Sequence, residues 1–225
     1  MSNSVAGRRV PAAAAQPHQG GCERGRDAQS LYGRDGARKY LNRDERDRAL
    51  KAMATLDTHA ALFALTLAWT GARVSEVLAL TASSFQIKAG IVALSTLKRR
   101  RHVMREVPIP PELMDALDRH FGLSKVQKEH DDSAHRLWPW HRATAWRIIK
   151  RVMVLAGVKG RQSTPRGLRH AFGIGTLQVG VPLTLAQRWL GHARLSTTAI
   201  YADVCGPEEI AFAERFWRCA PGRAS

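Results

Sequence analysis

The amino-acid sequence predicts a mainly α (α+β) domain, a helical body carrying one small antiparallel β-sheet. Three observations carry that prediction. Apolar residues recur at helical spacing over most of the chain beyond residue 40. Two short apolar runs flank Lys88-Ala89-Gly90, a tight-turn sequence, and a third run ends at Pro110-Pro111. No internal repeat is present.

The elements follow in order. Asn42 with Glu45 three residues on has the form of an N-cap with a reciprocal glutamate, opening a helix that carries Leu50, Met53 and Leu56. Residues 60–69 form a strongly apolar helix that Gly71 stops. Residues 85–87 and 91–94 pair across the turn, and residues 103–109 make the third strand. Pro110 and Pro111 then open a helix ending near Phe121. Residues 129–134 are a polar loop. Residues 141–156 are helical, with Trp146, Ile149, Val152 and Met153 on the buried side. Short helices are expected at 168–179, 183–190, 196–202 and 207–217.

Charge points to a polyanionic partner. The 225 residues carry 35 Lys and Arg against 19 Asp and Glu, a formal net charge of +16, beyond what solubility requires. A hydrophobic fraction of 44% is ample for one packed domain. No apolar run reaches the roughly 18 residues of a membrane span, so no membrane partner is expected. The N-terminus lacks the apolar stretch of a signal peptide. Cys22, Cys205 and Cys219 are odd in number and lack metal-ligand spacing. They read as free thiols of a reducing cytoplasm, with no metal and no cofactor expected.

The chain divides near residue 40. Residues 1–39 have little apolar periodicity, and seven basic residues (Arg8, Arg9, Arg24, Arg26, Arg34, Arg38, Lys39) face three acidic ones (Glu23, Asp27, Asp35). They are expected to be a basic disordered arm that either touches DNA or is inert. Residues 40–218 form the folded domain, and 219–225 a tail.

Several residues carry potential chemistry. Arg73, in Thr70-Gly71-Ala72-Arg73-Val74-Ser75-Glu76, stands just past a helix stop. Its fork suits two phosphate oxygens, and Glu76 one turn on is placed to hold it. Lys98-Arg99-Arg100-Arg101 is a basic run at the expected hairpin tip, suited to phosphate contact. A lysine there can also donate a proton to a leaving oxygen. In Pro165-Arg166-Gly167-Leu168-Arg169-His170, Arg169 opens a helix and can share a phosphate with Arg73, while His170 reads as a core histidine satisfied by backbone. Leu190-Gly191-His192 displays a histidine past a helix stop, able to donate to phosphate or move a proton. Tyr201 follows nine residues later, after Ser196-Thr197-Thr198, a cluster suited to capping a short helix. A phenol becomes a nucleophile only where cations stabilise the phenolate. Taken singly, each residue also fits a plain solvated or packing role.

Together these segments resemble the catalytic boxes of the tyrosine recombinase (phage integrase) family, with supporting context in Trp138-Pro139-Trp140, Gly180-Val181-Pro182-Leu183 and Ala199-Ile200-Tyr201-Ala202-Asp203. The resemblance covers about residues 40–218. It implies the helical catalytic domain of that family and a site-specific recombinase or integrase that cuts and rejoins DNA through a 3′-phosphotyrosyl link. Neither metal nor ATP is implied. Arg73, Arg169 and His192 become phosphate-binding catalytic groups, Tyr201 the nucleophile and Lys98 the general acid, with Arg99, Arg100 or Arg101 as the other residues in that register. The implied partner is double-stranded DNA, bound by a monomer that becomes a homotetramer on paired sites. The implied setting is a bacterial or mobile-element recombinase in the cytoplasm, on the nucleoid.

Two departures stand out. Arg166 occupies the position where the family most often has histidine; an arginine there can still bind phosphate but cannot act as a base. The helical core-binding domain that usually precedes the catalytic domain has no counterpart in residues 1–39. Two other readings therefore stay open: an impaired DNA-binding relic or regulator, and a topoisomerase-like nicking and resealing enzyme.

Overall fold

The structure, a computed structural model, describes residues 30–96, 103–129, 134–202, 210, 213 and 214. Helix α1, Arg43–Met53, begins at the expected capping box: Glu45 N donates to Asn42 Oδ1 at 2.8 Å, and Asn42 N donates to Glu45 Oε2 at 3.0 Å. Helix α2, Thr58–Thr70, is apolar on every side and therefore runs through the middle of the domain. It packs on α4 (Pro111–Phe121), α6 (Arg142–Leu155) and α7 (Pro165–Gln178). Gly71 ends it at φ 59°, and a Cβ there would overlap the Phe172 ring. That position needs glycine twice over, for the left-handed turn and for the close approach. The single turn α3, Val74–Val77, follows at once.

The sheet has the expected antiparallel order β1-β2-β3, with β1 at Phe85–Gln86, β2 at Ile91–Thr96 and β3 at Val103–Pro108. Its register pairs Phe85 with Val92, Val92 with Val107 and Leu94 with Arg105. Strand β1 is shorter than predicted, because Ile87–Ala89 winds into a 3₁₀ turn that Gly90 closes. Helix α5, Leu123–Glu129, was not predicted. Gly122 stops α4, but the Asp118 carboxylate accepts from both Ser124 N and Ser124 Oγ at 2.7 Å, which restarts the helix immediately. Helix α8 is Leu183–Leu190, and α9 is Ser196–Ala199. Of the helix expected at 207–217, Ile210 and the pair Ala213 and Glu214 are described and helical; its other residues lie outside the described ones.

Two apolar clusters form the core. The larger joins α1, α2, α4, α6 and the sheet around Phe63, Met53, Leu117, Trp138 and Ile149. The smaller gathers Leu31, Tyr40, Phe172, Ile174, Leu190 and Tyr201. The folded body thus begins before residue 40. Within 30–39, Tyr32 bridges to Arg38, whose two terminal nitrogens donate to Glu45 at 2.7 and 2.8 Å. Leu31 and Tyr40 are the anchors, and two apolar residues nine apart leave no periodic signature. The earlier residues, with Cys22, and the later Cys205 and Cys219 lie outside the described residues. Trp146 is also corrected: it is 47% exposed. The buried stripe of α6 is Ala145, Ile149, Val152 and Met153. Trp146 sits one step round the helix from it, under the Lys150 ammonium at 5.7 Å. No helix of the described residues is long and apolar enough to cross a membrane.

Candidate active site

Four chain segments converge beside the smaller cluster. The first is the turn after α2, where Arg73 is held as expected: its Nη1 donates to Glu76 Oε1 at 2.7 Å and its backbone N donates to Glu76 Oε2 at 2.8 Å. Glu76 is 2% exposed and also accepts from Arg105 Nη2 at 2.6 Å. Burial alone would raise this carboxyl; the hydrogen bond and charge of Arg105, then those of Arg73, outweigh it and hold the group below the usual carboxylate range.

Arg105 is the main residue that sequence reasoning missed. It lies on the buried face of β3, 5% exposed, opposite Leu94. Besides Glu76 it reaches Trp189 O at 2.7 Å and Thr96 Oγ1 at 3.1 Å, which ties the hairpin to the end of α8. The signal lay in the alternation Val103, Arg105, Val107, Ile109, which puts Arg105 on the inward face.

Helix α7 is the second segment. Thr164 caps it, Pro165 takes its first position, and Arg166, Arg169, His170 and Gly173 fall on one face at spacings of three and four. Arg169 is buried, donating from Nη1 to Gly71 O at 2.5 Å and from Nη2 to Leu190 O at 2.6 Å. It therefore pins the turn carrying Arg73 against the turn carrying His192. Burial, with the charge of Arg73, lowers its pKa to about 10. Two of its five N–H groups serve these carbonyls, and the rest of the fork suits an anion.

His192 follows Gly191 in the third segment. Its Nδ1 lies 2.9 Å from Thr198 Oγ1, and its backbone carbonyl accepts from Gln187 Nε2 at 3.2 Å. Burial and the charges of Arg169 and Arg73 lower its pKa to about 3, so the ring is neutral and offers a single N–H. Thr198, wholly buried, thus orients His192. The expectation that Ser196-Thr197-Thr198 caps a helix is not met: Leu195 holds the cap position of α9, with no side-chain cap bond.

Tyr201 completes the set. It is 1% exposed, its ring lies near-parallel to that of His192 at 6.2 Å between centroids, and its hydroxyl is 3.2 Å from His170 Nδ1. Burial raises its pKa, opposed by the charges of Arg169, Arg166 and Arg73. A Cβ at Gly173 would overlap the Tyr201 ring, so that glycine opens the slot for it. His170 is buried as expected, but its ring nitrogens meet the side chains of Arg166 and Tyr201 and not backbone. Polar partners there let an imidazole sit at 5% exposure.

The structure therefore brings Arg73, Glu76, Arg166, Arg169, His192 and Tyr201 together. Lys98, Arg99, Arg100 and Arg101 lie outside the described residues. The strand ends that flank them, Thr96 and Val103, line a cavity of about 260 Å³ together with Arg105, Arg188, Gly191 and His192. Among the described residues no group of three His, Cys, Asp or Glu side chains is placed to hold a metal.

Residues 39–206 match the phage integrase family. The tyrosine recombinase XerD of Haemophilus ducreyi is 33% identical over 141 residues, covering 60% of this chain and 46% of that protein. The crystal structure of XerA recombinase superposes with a TM-score of 0.64 at 27% identity, over 81% of this chain and 65% of that one. XerH site-specific recombinase, in its post-cleavage complex with a palindromic difH substrate, superposes with a TM-score of 0.64 at 21% identity, over 80% and 53% of the two chains. The chain thus spans about half the length of the curated relative it matches, 46% for XerD.

Proposed function

This chain belongs to the phage integrase family, and on that premise we propose that it is a site-specific recombinase that cuts and rejoins double-stranded DNA through a 3′-phosphotyrosyl intermediate. One observation carries the reading: Arg73, Arg169, His192 and Tyr201, from segments far apart in sequence, are fixed against one another by Glu76, the Gly71 and Leu190 carbonyls, and Thr198. Packing alone does not call for a buried Arg169 and a half-buried Arg73, with Arg166 at the surface, around one phenol, and a phosphodiester does.

In the proposed reaction Arg73 and Arg169 share the non-bridging oxygens of the scissile phosphate. Charge that builds there in the transition state meets preorganised donors, usually the largest catalytic contribution. Neutral His192 adds an N–H to the same oxygens. Tyr201 Oη gives up its proton to solvent as the DNA seats, and forms the bond to phosphorus. The bond from phosphorus to the 5′-oxygen breaks, and Lys98 supplies the proton to that oxygen. The 5′-hydroxyl of the exchanged strand then attacks the phosphotyrosine, returning the phenol. One phosphodiester is exchanged for another at each step, so the scheme needs no ATP, and the charge stabilisation comes from this chain's own side chains.

We further propose a monomer in free solution that assembles as a tetramer on paired sites, with the segment after Tyr201 docking on a neighbour. The formal charge of +16 supports the DNA partner. The test uses a nicked suicide substrate that traps the covalent adduct. Wild type gives a protein–DNA adduct, and Tyr201→Phe gives none while binding the DNA as well as before. Adducts that persist in Tyr201→Phe would remove Tyr201 from its role; DNA binding with no adduct from wild type would favour a non-catalytic relic.

A further inference from the structure

His170 takes no part in the scheme above, yet it is buried and touches the atom that would attack phosphorus. Its Nε2 lies 3.2 Å from Arg166 Nε, and its Nδ1 lies 3.2 Å from Tyr201 Oη. An arginine has only donors, so Nε2 must be the accepting nitrogen of that pair. Burial, with the charges of Arg166, Arg169 and Lys39, lowers the His170 pKa to about 3, so the imidazole is neutral. A neutral ring that accepts at Nε2 carries its hydrogen on Nδ1. That hydrogen faces the tyrosine oxygen.

We propose, on the reading that Tyr201 is the nucleophile, that His170 is a positioning residue: it donates from Nδ1 to Tyr201 Oη, is locked in that tautomer by Arg166, and is not the base that takes the phenol proton. A donor to the oxygen favours phenolate over phenol, and so opposes the burial that raises the Tyr201 pKa. It also fixes the direction of the hydroxyl, because Gly173 and His192 leave the ring a narrow slot. The charged and titratable groups around this pair are Arg166, Arg169 and Lys39 about His170, and Arg169, Arg166, Arg73 and His192 about Tyr201. The proposal also gives Arg166 a use. A histidine in its place can either donate or accept and leaves the tautomer of His170 open; an arginine donates only.

Three variants of the full chain test this. His170→Asn keeps an N–H donor near the Nδ1 position and cannot act as a base. His170→Leu keeps volume and removes the donor. Arg166→Leu frees the tautomer. Without DNA, ¹³Cζ-tyrosine NMR follows the ionisation of Tyr201, its signal assigned by loss in Tyr201→Phe. His170→Leu should raise the Tyr201 pKa by about one unit or more, and His170→Asn should leave it within about half a unit. On the suicide substrate His170→Leu should slow adduct formation roughly ten- to a hundredfold, while His170→Asn stays within about threefold with an unchanged pH profile. Should His170→Leu unfold, the long-range ¹H–¹⁵N spectrum of wild type decides directly, with Nε2 expected as the bare nitrogen.

Three results would overturn the proposal: the opposite tautomer, His170→Asn as slow as His170→Leu with a lost pH limb, or a Tyr201 pKa that His170→Leu leaves in place. Wild type that forms no adduct would count against the recombinase reading alone, since the NMR result stands without it.

Discussion

Arg105→Met tests whether the buried ion pair organises the site. The arginine side chain is 3% exposed and that of Glu76 is 1% exposed. The change keeps most of the volume of Arg105 and deletes three bonds, to Glu76, Trp189 O and Thr96 Oγ1. A hydrogen bond between charged groups contributes about 1.5–3 kcal/mol and the two others about 1 kcal/mol each, giving a cost of roughly 3–5 kcal/mol. Removing one partner of a buried pair costs about 3–5 kcal/mol when the other is left alone, and because Arg73 still donates to Glu76 that figure is an upper bound. In a domain of this size that lowers Tm by on the order of 10 °C. The pH dependence has a definite sign. In wild type Glu76 is held below its ordinary pKa, so its contribution is present above the unfolded value and is lost as pH falls through the folded one. Without Arg105 the largest opposition to burial is gone, and the carboxyl moves upward. The stability gap between the two proteins is then widest near pH 7 and narrows toward about pH 4, as the carboxyl, left with Arg73 alone, takes a proton. Glu76→Gln in the Arg105→Met background should recover much of the loss. Urea titrations followed by circular dichroism measure all of this. A gap below about 1 kcal/mol at pH 7, or one that widens with acid, would refute the reasoning.

Arg73→Ala and Arg169→Ala should each slow covalent adduct formation about a hundredfold or more, on the order of 3 kcal/mol of transition-state stabilisation. Arg169→Ala should also lower Tm more than Arg73→Ala does, because the Gly71 and Leu190 carbonyls lose their donor. Lys98→Ala should be inactive on an ordinary suicide substrate and rescued by a 5′-sulfur leaving group, which needs no acid; rescue at Arg99 or Arg100 instead would move that role along the run. Gly173→Ala should displace the Tyr201 ring, raising its exposure to iodination and lowering adduct yield, with near-native circular dichroism as the control. Sulfate at constant ionic strength should raise the Tm of wild type by a few degrees through occupancy of the arginine pair, and an equal rise in Arg73→Ala would show salting-out alone.

Local signals carried most of the fold. The Asn42–Glu45 box, the Gly71 stop, the Lys88-Ala89-Gly90 turn and the Pro110-Pro111 boundary are each written in a few adjacent residues, and each is found where expected. Helix α5 escaped because its trigger, the Asp118 carboxylate, acts six residues downstream across a glycine that reads as a stop. The set Arg73, Glu76, Arg169, His192 and Tyr201 was legible because spacing and residue type carry the family pattern. Arg105, Thr198 and the two partners of His170 were not, because their meaning depends on which side chains face them across the fold. An inward arginine on a strand is ambiguous until a buried carboxylate is seen opposite it.

The charge balance of the site follows from the same contacts. Glu76 is the buried carboxylate that faces Arg73 and Arg105, and both press on it at hydrogen-bond distance. Arg169 donates to two backbone carbonyls, and burial, followed by the charges of Arg73 and Arg105, lowers its pKa to about 10. The site therefore holds more positive charge than its own acid can neutralise. Such an arrangement costs stability in the isolated chain, and the cost falls when an anion enters. Burial, followed by the same excess of charge, keeps His170 and His192 neutral, which fixes them as directional donors and not as further cations. Positive charge sufficient for a phosphate, with imidazoles held neutral beside it, is the electrostatic form a phenol requires to become a nucleophile near neutral pH. The sequence writes that form with arginines, whose charge does not titrate away, at each point where the proposed reaction places phosphate.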